Sequence, residues 1–325
     1  MRVLVTGGAG FIGSHIVDAL LTRGHEVAVV DNLESGTRDN LPPQVPLHVV
    51  DIRDEAGLAA VMDGFRPEAV CHQAAQMSVS RSVREPVFDA EVNVVGLLRV
   101  FQHAVRVGAR RIVFASSGGV LYGDVTEPAG EGHPASPISP YGISKWVGEQ
   151  YLQFFVREHG ITAVALRYSN VYGPRQNPHG EAGVVAIFST KLLAGEVATI
   201  NGDGCYIRDY VYGPDVARAN LLALEADVHD GFWALNVGTG VPADVNQLAA
   251  QIREHCQRWW EQAGRPGTIP VLQHGPPRAG DLRSNLLSPR QAGERLGWTP
   301  TVQLTDGLRR TVDWFAQRAR HIQTT

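Results

Sequence analysis

A glycine-rich turn between an apolar run and a helical pattern places the strongest constraint on this chain. We predict a buried strand over Arg2–Thr6 (RVLVT) and a helix over Phe11–Arg23. Between them, Gly8, Gly10 and Gly13 match the pattern G-x-G-x-x-G. Glycines at this spacing permit a tight turn and let backbone N–H groups approach a pyrophosphate at the N-terminus of a helix. The segment therefore predicts the first βαβ unit of a dinucleotide-binding sheet.

Strands and helices continue to alternate along the first half of the chain. Further strands are predicted over Val27–Asp31, Leu47–Asp51, Ala69–Gln73, Arg111–Ser116 and Ala163–Tyr168, and long helices over Glu85–Val107 and Pro140–Glu158. Such alternation is typical of a parallel sheet with helices on both faces. We therefore predict an α/β fold of the Rossmann type, a doubly wound parallel sheet with a smaller C-terminal substrate-binding lobe.

The regular alternation loosens after about residue 170, which indicates a domain boundary. We assign residues 1–169 to the nucleotide-binding domain and residues 170–325 mainly to the smaller lobe. Ala234–Val237 (ALNV) again has the character of a buried strand, so residues of about 234–250 are predicted to return to the main domain. We interpret the segment MRVLVTGGAG as part of the folded domain rather than as a signal peptide.

Composition excludes several functional classes. The net charge is −4 and no stripe of Lys and Arg is visible, which argues against a nucleic-acid partner. No stretch approaches the roughly 18 apolar residues of a membrane span, so no membrane partner is expected. Cys71, Cys205 and Cys256 are far apart and form no C-x-x-C motif, so we expect neither a disulfide framework nor a metal site. The reducing cytoplasm is the predicted location.

Asp31 indicates which dinucleotide is bound. It closes the second predicted strand, 18 residues after Gly13. A carboxylate there can accept hydrogen bonds from both ribose hydroxyls of an adenosine, and it would repel a 2′-phosphate. Its neighbour Asn32 brings no compensating positive charge, so NAD is predicted rather than NADP. Asp51 and Ile52, after the third strand, are candidates to flank the adenine.

A second motif begins the helix predicted over Pro140–Glu158. Tyr141 and Lys145 are four residues apart, so they share one face of that helix. A tyrosine that acts as a base near neutral pH must lose about three pKa units, or roughly 4 kcal/mol. The positive charges of a nearby ammonium and of a nicotinamide ring can stabilise the phenolate and so lower the pKa by that amount. Ser116 and Ser117 lie at the carboxyl end of a predicted strand, and ligands of parallel sheets bind at these ends. Tyr141, Lys145, Ser116 and Ser117 are therefore the catalytic candidates.

These motifs together resemble the extended short-chain dehydrogenase/reductase family. The resemblance rests on TGGAGFIG, FASSGGVLYG, YGISK, LRYSNVYGP, GDGCYIRDYV and RAGD, which run nearly from end to end. Within the family, the chain is similar to the nucleoside-diphosphate-sugar 4-epimerases of the UDP-glucose and UDP-glucuronate types. The resemblance implies that Tyr141 is the base, that Lys145 binds the nicotinamide ribose, and that Ser117, with Ser116 beside it, is the strand-end hydroxyl. The sugar 4-hydroxyl would lose its proton as the C4 hydride moves to NAD⁺. The 4-keto sugar would then turn before the hydride returns.

The resemblance also implies the residues that surround NAD. They are Gly7, Gly10, Phe11, Ile12, Gly13, Asp31, Asn32, Ser35, Gly36, Asp51, Ile52, Gln73, Ala74, Ala75, Gln76, Asn93, Tyr141, Lys145 and Tyr168. No residue is implied as a metal ligand.

A second implied set would hold a UDP-sugar. Arg208 and Arg278 match the diphosphate-binding arginines of the family, and planar guanidinium groups suit phosphate oxygens. Asn170 matches the amide that reaches the diphosphate-sugar. The other implied positions are Ser78, Ser117, Gly118, Gly119, Tyr141, Val184, Val185, Thr199, Asn201 and Asp281.

The identity of the sugar is less constrained by the sequence. Gly118 and Gly119 stand where the family's dehydratases and decarboxylases carry acidic residues, so simple reversal of hydride transfer is expected. Ser116 and Ser117, with the N–H groups of these glycines, could also hold a C6 carboxylate. Asn285 does not exclude an N-acetyl group. The resemblance favours UDP-glucuronate and UDP-galacturonate. The alternatives are UDP-glucose and UDP-galactose, an N-acetylhexosamine pair, or a sugar-nucleotide dehydrogenase or reductase.

Two long helices suggest a partner. Glu85–Val107 and Pro140–Glu158 are rather apolar, and the corresponding pair in the family builds a four-helix dimer interface. The resemblance therefore implies a homodimer.

Overall fold

The computed structural model describes residues 1–178, 183–277 and 282–324. The strands are β1 (Arg2–Thr6), β2 (Glu26–Asp31), β3 (Leu47–Val49), β4 (Ala69–His72), β5 (Arg111–Ser117), β6 (Thr162–Tyr168), β7 (Asn170–Tyr172), β8 (Thr199–Asn201), β9 (Ile207–Tyr212), β10 (Phe232–Val237), β11 (Pro242–Asp244), β12 (Gln273–Gly275) and β13 (Ser284–Asn285). The helices are α1 (Phe11–Thr22), α2 (Glu55–Phe65), α3 (Val79–Arg84), α4 (Pro86–Ala90), α5 (Leu97–Arg106), α6 (Gly118–Leu121), α7 (Pro140–His159), α8 (Val184–Leu193), α9 (Gly213–Glu225), α10 (Val245–Gln262), α11 (Arg290–Leu296) and α12 (Leu304–Thr324).

A seven-stranded parallel sheet forms the centre of the molecule. Its strand order is β10-β6-β5-β4-β1-β2-β3, and each strand pairs with its neighbours in parallel. Helices cover both faces, which is why the strands are almost wholly apolar and buried. The predicted fold class is confirmed. The chain changes direction in the sheet between β1 and β4, and ligands of such sheets bind at this switch point.

Two small sheets lie in the C-terminal part of the chain. One has the order β11-β9-β13 with β7 also paired to β9, and the other joins β12 to β8. A separate apolar core forms around α8, α10 and α12. The strand predicted at Ala234–Val237 is β10, which returns to the main sheet beside β6. The division into two domains at residue 170 stays a prediction.

Two predicted elements differ from the structure. The strand predicted over Leu47–Asp51 ends at Val49. The long helix predicted over Glu85–Val107 is present over 86–106, although it is not a uniform α-helix. Glu85, with φ −129° and ψ 61°, separates it from α3. Proline disfavours helical backbone in the residue before it, and Pro86 follows Glu85. A π-helical segment, Glu91–Gly96, then joins α4 to α5.

Among the described helices, none has the length and apolar character that would be needed to cross a membrane.

Candidate active site

The glycine-rich turn is shaped by close contacts that exclude side chains. Gly7 has φ +68°, and a Cβ built there would lie 2.6 Å from the backbone nitrogen of Ala74. A Cβ at Gly13 would lie 2.1 Å from the carbonyl oxygen of Gly7. Gly10 is the N-cap of α1 and makes no side-chain cap hydrogen bond. The first N–H groups of α1 can therefore bind an anion such as a pyrophosphate.

Asp31 lies at the end of β2, next to this turn. Its two carboxylate oxygens accept hydrogen bonds from the backbone nitrogens of Ala9 (2.9 Å) and Leu33 (2.8 Å). Burial raises the pKa of Asp31, and these backbone hydrogen bonds oppose the rise. A carboxylate, an open helix N-terminus and a glycine turn fit the adenosine and pyrophosphate of NAD. Asn32 and Asp51 lie beside it, joined by a hydrogen bond of 3.0 Å.

Other predicted NAD residues lie along the same switch point. A Cβ at Gly36 would be 2.8 Å from the backbone of Ala9, so this residue packs against the turn. The backbone nitrogen of Gln76 donates to Asn93 Oδ1 at 2.9 Å. Tyr168 and Gln73 are linked by a hydrogen bond of 3.2 Å. Asp51 accepts hydrogen bonds from the side chains of Asn32 and Arg53. The hydrogen bond from Arg53 is the main reason that the pKa of Asp51 falls to about 2.

Tyr141 and Lys145 lie in the first two turns of α7. Ser139 caps the helix by accepting a hydrogen bond from the nitrogen of Gly142, and Pro140 occupies the first helical position. Lys145 Nζ donates to the carbonyl oxygen of Ala115 at 2.9 Å and lies 5.7 Å from the centre of the Tyr141 ring. The predicted shared face of the helix is present in the structure.

Burial dominates the acid–base properties of this pair. It raises the pKa of the Tyr141 phenol to about 12, against a smaller lowering by the hydrogen bond with Ser117. It also lowers the pKa of the Lys145 ammonium to about 8. Burial opposes ionisation of the phenol in the protein alone, so its acidification by Lys145 together with the nicotinamide ring stays a prediction. The positive nicotinamide ring of bound NAD⁺ would supply the remaining stabilisation of a phenolate.

The two candidate serines point to opposite faces of the sheet. Ser117 is hydrogen-bonded to Tyr141. Ser116 is buried, and its hydroxyl donates to Glu149 Oε1 at 2.5 Å. Neighbouring residues of a strand face opposite sides, so only one of the two can reach the phenol. The structure thus directs Ser116 away from Tyr141, which contradicts its place among the catalytic candidates.

The C-terminal sheets present the predicted substrate residues. Arg208 lies on β9, in register with Asn285 on β13. The strand is held by Asp209, which accepts hydrogen bonds from the nitrogen and the hydroxyl of Thr239 at 2.8 and 2.7 Å. Asn170 donates to the carbonyl oxygen of Asp209 at 3.3 Å. This arrangement places the Arg208 guanidinium group on the same small sheet as Asn170 and Asn285.

The remaining substrate candidates that the structure describes lie in four segments. Val184 and Val185 begin α8, Thr199 and Asn201 form the ends of β8, and Ser78 caps α3. Gly118 is closely packed, since a Cβ there would lie 2.6 Å from Leu287, whereas a Cβ at Gly119 would meet nothing nearer than Ser117 Oγ at 3.7 Å. Arg278 and Asp281 lie outside the described residues.

Sequence reasoning missed two buried groups that support the catalytic helix. Glu149 lies one turn after Lys145 and is paired with Arg167 at 2.7 Å, with side-chain exposures of 1% and 11%. Asp89 on α4 is fully buried and accepts a hydrogen bond from Ser144. The spacing of Tyr141, Lys145 and Glu149 along one helix face was the available signal for the first group. Asp89 sits in an apolar stretch, where a charge is rarely buried without a partner.

Comparisons with known proteins agree over nearly the whole chain. Residues 3–238 match the model of the NAD dependent epimerase/dehydratase family. The UDP-glucose 4-epimerase of Mycolicibacterium smegmatis is 43% identical over 98% of this chain and 100% of its own length. The structure of UDP-glucose 4-epimerase from Thermotoga maritima with UDP-glucose superposes with a TM-score of 0.91 at 46% identity, over 98% of this chain and 100% of that one. The Thermus thermophilus UDP-glucose 4-epimerase in complex with NAD gives a TM-score of 0.89 at 47% identity, over 97% and 99% of the two chains.

Proposed function

The chain belongs to the NAD dependent epimerase/dehydratase family, and from this premise we propose that it is an NAD-dependent UDP-sugar 4-epimerase. We propose UDP-glucose and UDP-galactose as its substrate pair. The observation that carries this proposal is the hydrogen bond between Ser117 and Tyr141 at the carboxyl end of β5, beside a glycine turn that fits NAD. The relatives named above, which cover almost the full length of the chain, support the choice of sugar.

The residues of this chain perform the proton transfer. Bound NAD⁺ supplies the hydride acceptor and a positive charge. Tyr141, as phenolate, takes the proton of the sugar 4-hydroxyl as the hydride leaves C4, and it returns that proton when the hydride comes back. Ser117 orients the phenolic oxygen, and Lys145 keeps a positive charge within 5.7 Å of the ring. Gly118 and Gly119 offer no acid or base, so elimination at C5 and C6 has no catalyst there.

Incubation with separate UDP-sugars tests the proposal. The purified protein, without added NAD, is mixed with UDP-glucose, UDP-glucuronate or UDP-N-acetylglucosamine, and products are followed by NMR. Formation of UDP-galactose from the first sugar, with bound NAD that survives many turnovers, is the expected result. A net oxidised or reduced sugar would instead identify a dehydrogenase or reductase and overturn the proposal.

UDP-glucuronate is the second candidate substrate, and one local feature favours it. Gly119 leaves open space beside the Ser117 hydroxyl, where backbone N–H groups could hold a C6 carboxylate without a charged side chain. The chain also resembles the UDP-glucuronate 4-epimerase of the moenomycin pathway, and that resemblance implies a uronate substrate. In the same NMR experiment, faster formation of UDP-galacturonate than of UDP-galactose would select this candidate.

We also propose that two copies associate through α7. Several apolar side chains on this helix are exposed, among them Ile143 (48%), Trp146 (39%), Tyr151 (37%) and Phe154 (42%). A hollow lined by Val147, Gln150, Tyr151 and Phe154 lies on the same face. A patch of this kind on a water-soluble protein marks an interaction surface. A second copy would bury both patches by two-fold symmetry.

Substitution of Tyr151 by Glu should convert the dimer into a monomer. The carboxylate would have to be buried without a partner in the interface, which is unfavourable. Light scattering coupled to size exclusion gives the mass. The same type of change at Val271, which is 70% exposed outside this face, is the matched control and should leave the mass unchanged. A monomeric wild-type protein, or a dimeric Tyr151→Glu variant, would contradict the assignment of this face.

A further inference from the structure

We propose that Asp89 is a positioning residue whose buried negative charge faces the catalytic helix and sets the pH range in which Tyr141 and Lys145 work. The inference rests on the proposed function, because it assigns a role within the same proton transfer. It concerns a residue outside both the NAD set and the sugar set that sequence reasoning assembled.

The hydrogen bonds around Asp89 are those of an ionised carboxylate. Oδ1 accepts from Gln76 Nε2 at 2.8 Å and from Asn93 Nδ2 at 2.9 Å, and Oδ2 accepts from Ser144 Oγ at 2.5 Å. All three partners donate. The side chain has no exposure to solvent.

The chain geometry brings this charge to the catalytic pair. Ser144 directly precedes Lys145, so its hydrogen bond fixes α4 against the turn of α7 that carries the ammonium. Lys145 itself is buried, and its ammonium donates a hydrogen bond to a neutral group, the carbonyl oxygen of Ala115. A buried ammonium requires a compensating charge nearby. Asp89 supplies it across the helix contact without forming a direct ion pair.

The other titratable groups around Lys145 do not provide this charge. Tyr141 on the same helix is a neutral phenol until it loses its proton. His72, on β4, is completely buried, and burial together with the nearby Lys145 lowers its pKa to about 3, so it stays neutral. Glu149, one turn further along α7, is paired with Arg167. Asp89 also opposes the effect of burial on Lys145 by raising the pKa of the ammonium.

The sign of the effect is the same for both catalytic groups. A negative charge favours the protonated form of its neighbours, and it raises the pKa of Tyr141 as well as that of Lys145. Activity requires the phenolate and the ammonium together, so it rises with pH as Tyr141 loses its proton and falls as Lys145 does. Removal of the charge should therefore move both limbs of the pH profile toward lower pH.

The test compares Asp89→Asn with Ser144→Ala in the holoenzyme, using the pH dependence of kcat for conversion of UDP-galactose. Asparagine keeps the shape and can still accept from Gln76 or Asn93, while Ser144 can reverse its hydroxyl. We expect the whole profile of Asp89→Asn to move to lower pH by on the order of one unit, as nearby charges commonly do. Ser144→Ala removes a hydrogen bond but keeps the charge, so its profile should stay in place even if its rate falls.

A second neutral variant, Asp89→Ser, protects the test against failure of the first to fold. A lower rate with an unmoved profile in either folded variant, or an equal shift in Ser144→Ala, would overturn the inference and leave Asp89 a merely structural residue. The reaction of the wild-type enzyme, followed by NMR, tests the proposed function independently of the Asp89 variants. If the wild-type enzyme produces no 4-epimer, the proposed function fails, whereas an unmoved profile in an active enzyme rejects only the role of Asp89.

Discussion

Replacement of Tyr141 by Phe should reduce kcat by about 10²- to 10⁴-fold, the usual contribution of a general base. Phenylalanine keeps the ring, which lies 5.7 Å from Lys145 Nζ, and removes only the oxygen that is hydrogen-bonded to Ser117. The folded structure and the bound NAD should therefore be retained. The rate is measured by NMR with UDP-galactose, and the NAD content is measured on the released cofactor.

The two neighbouring serines provide the matched control for this prediction. Ser117→Ala should lower kcat because the phenolic oxygen loses its hydrogen bond. Ser116→Ala should keep most of the activity, since that hydroxyl donates to Glu149 on the other side of the strand. If Tyr141→Phe keeps more than a small fraction of wild-type activity, or if the serine effects are reversed, the assignment of the base and of its hydrogen-bond partner is wrong.

Replacement of Arg167 by Met should destabilise the protein by about 3–5 kcal/mol, the usual cost of leaving a buried charge unpaired. Arg167 Nη2 lies 2.7 Å from Glu149 Oε2, and its Nε lies 2.9 Å from Oε1. The same guanidinium group also donates to Tyr122 at 2.8 Å. Without it, the hydroxyl of Ser116 is the one side-chain donor that the described residues leave to the buried Glu149 carboxylate. The midpoint of urea unfolding at a fixed NAD concentration measures the change, because bound NAD also stabilises the folded state.

A double substitution separates the loss of pairing from the loss of packing. Arg167→Met combined with Glu149→Leu removes both charges, so it should be more stable than Arg167→Met alone. Arg23→Met serves as the exposed control, since the Arg23 side chain is 63% exposed where it meets Glu225, and its loss should change the stability much less than Arg167→Met does. If the Arg167→Met/Glu149→Leu variant is less stable than Arg167→Met alone, the expectation fails. The unpaired Glu149 carboxylate would then not be the cause of the destabilisation.

Much of the site can be predicted from local properties of the chain. The glycines of the first turn, Asp31 at the end of a strand, and the pair Tyr141 and Lys145 on one helix face all depend on spacing within a single element. Backbone geometry fixes such spacings, so a sequence pattern is enough to predict them. The fold class followed from the alternation of strands and helices for the same reason.

Differences arose where one element depends on another. The helix predicted over Glu85–Val107 winds as a π-helix over Glu91–Gly96, and this segment carries Asn93 to the carboxylate of Asp89. Periodicity alone carries no sign of such a π-helical segment. Desolvation, which the sequence does not reveal, is the largest influence on the pKa of both Tyr141 and Lys145.

By itself, the sequence determined the sheet, the glycine-rich turn and the pair Tyr141 and Lys145, because each depends on short-range periodicity and on residue type. Only the tertiary structure decided that Ser117 is hydrogen-bonded to the phenol while Ser116 is hydrogen-bonded to Glu149. It also decided that Asp89 is hydrogen-bonded to Ser144, the residue before Lys145. These outcomes depend on packing between α4, α7, β5 and β6, where burial changes the energy of every charge. This change depends on contacts between segments that are distant in the chain, so no single segment of the sequence reveals it.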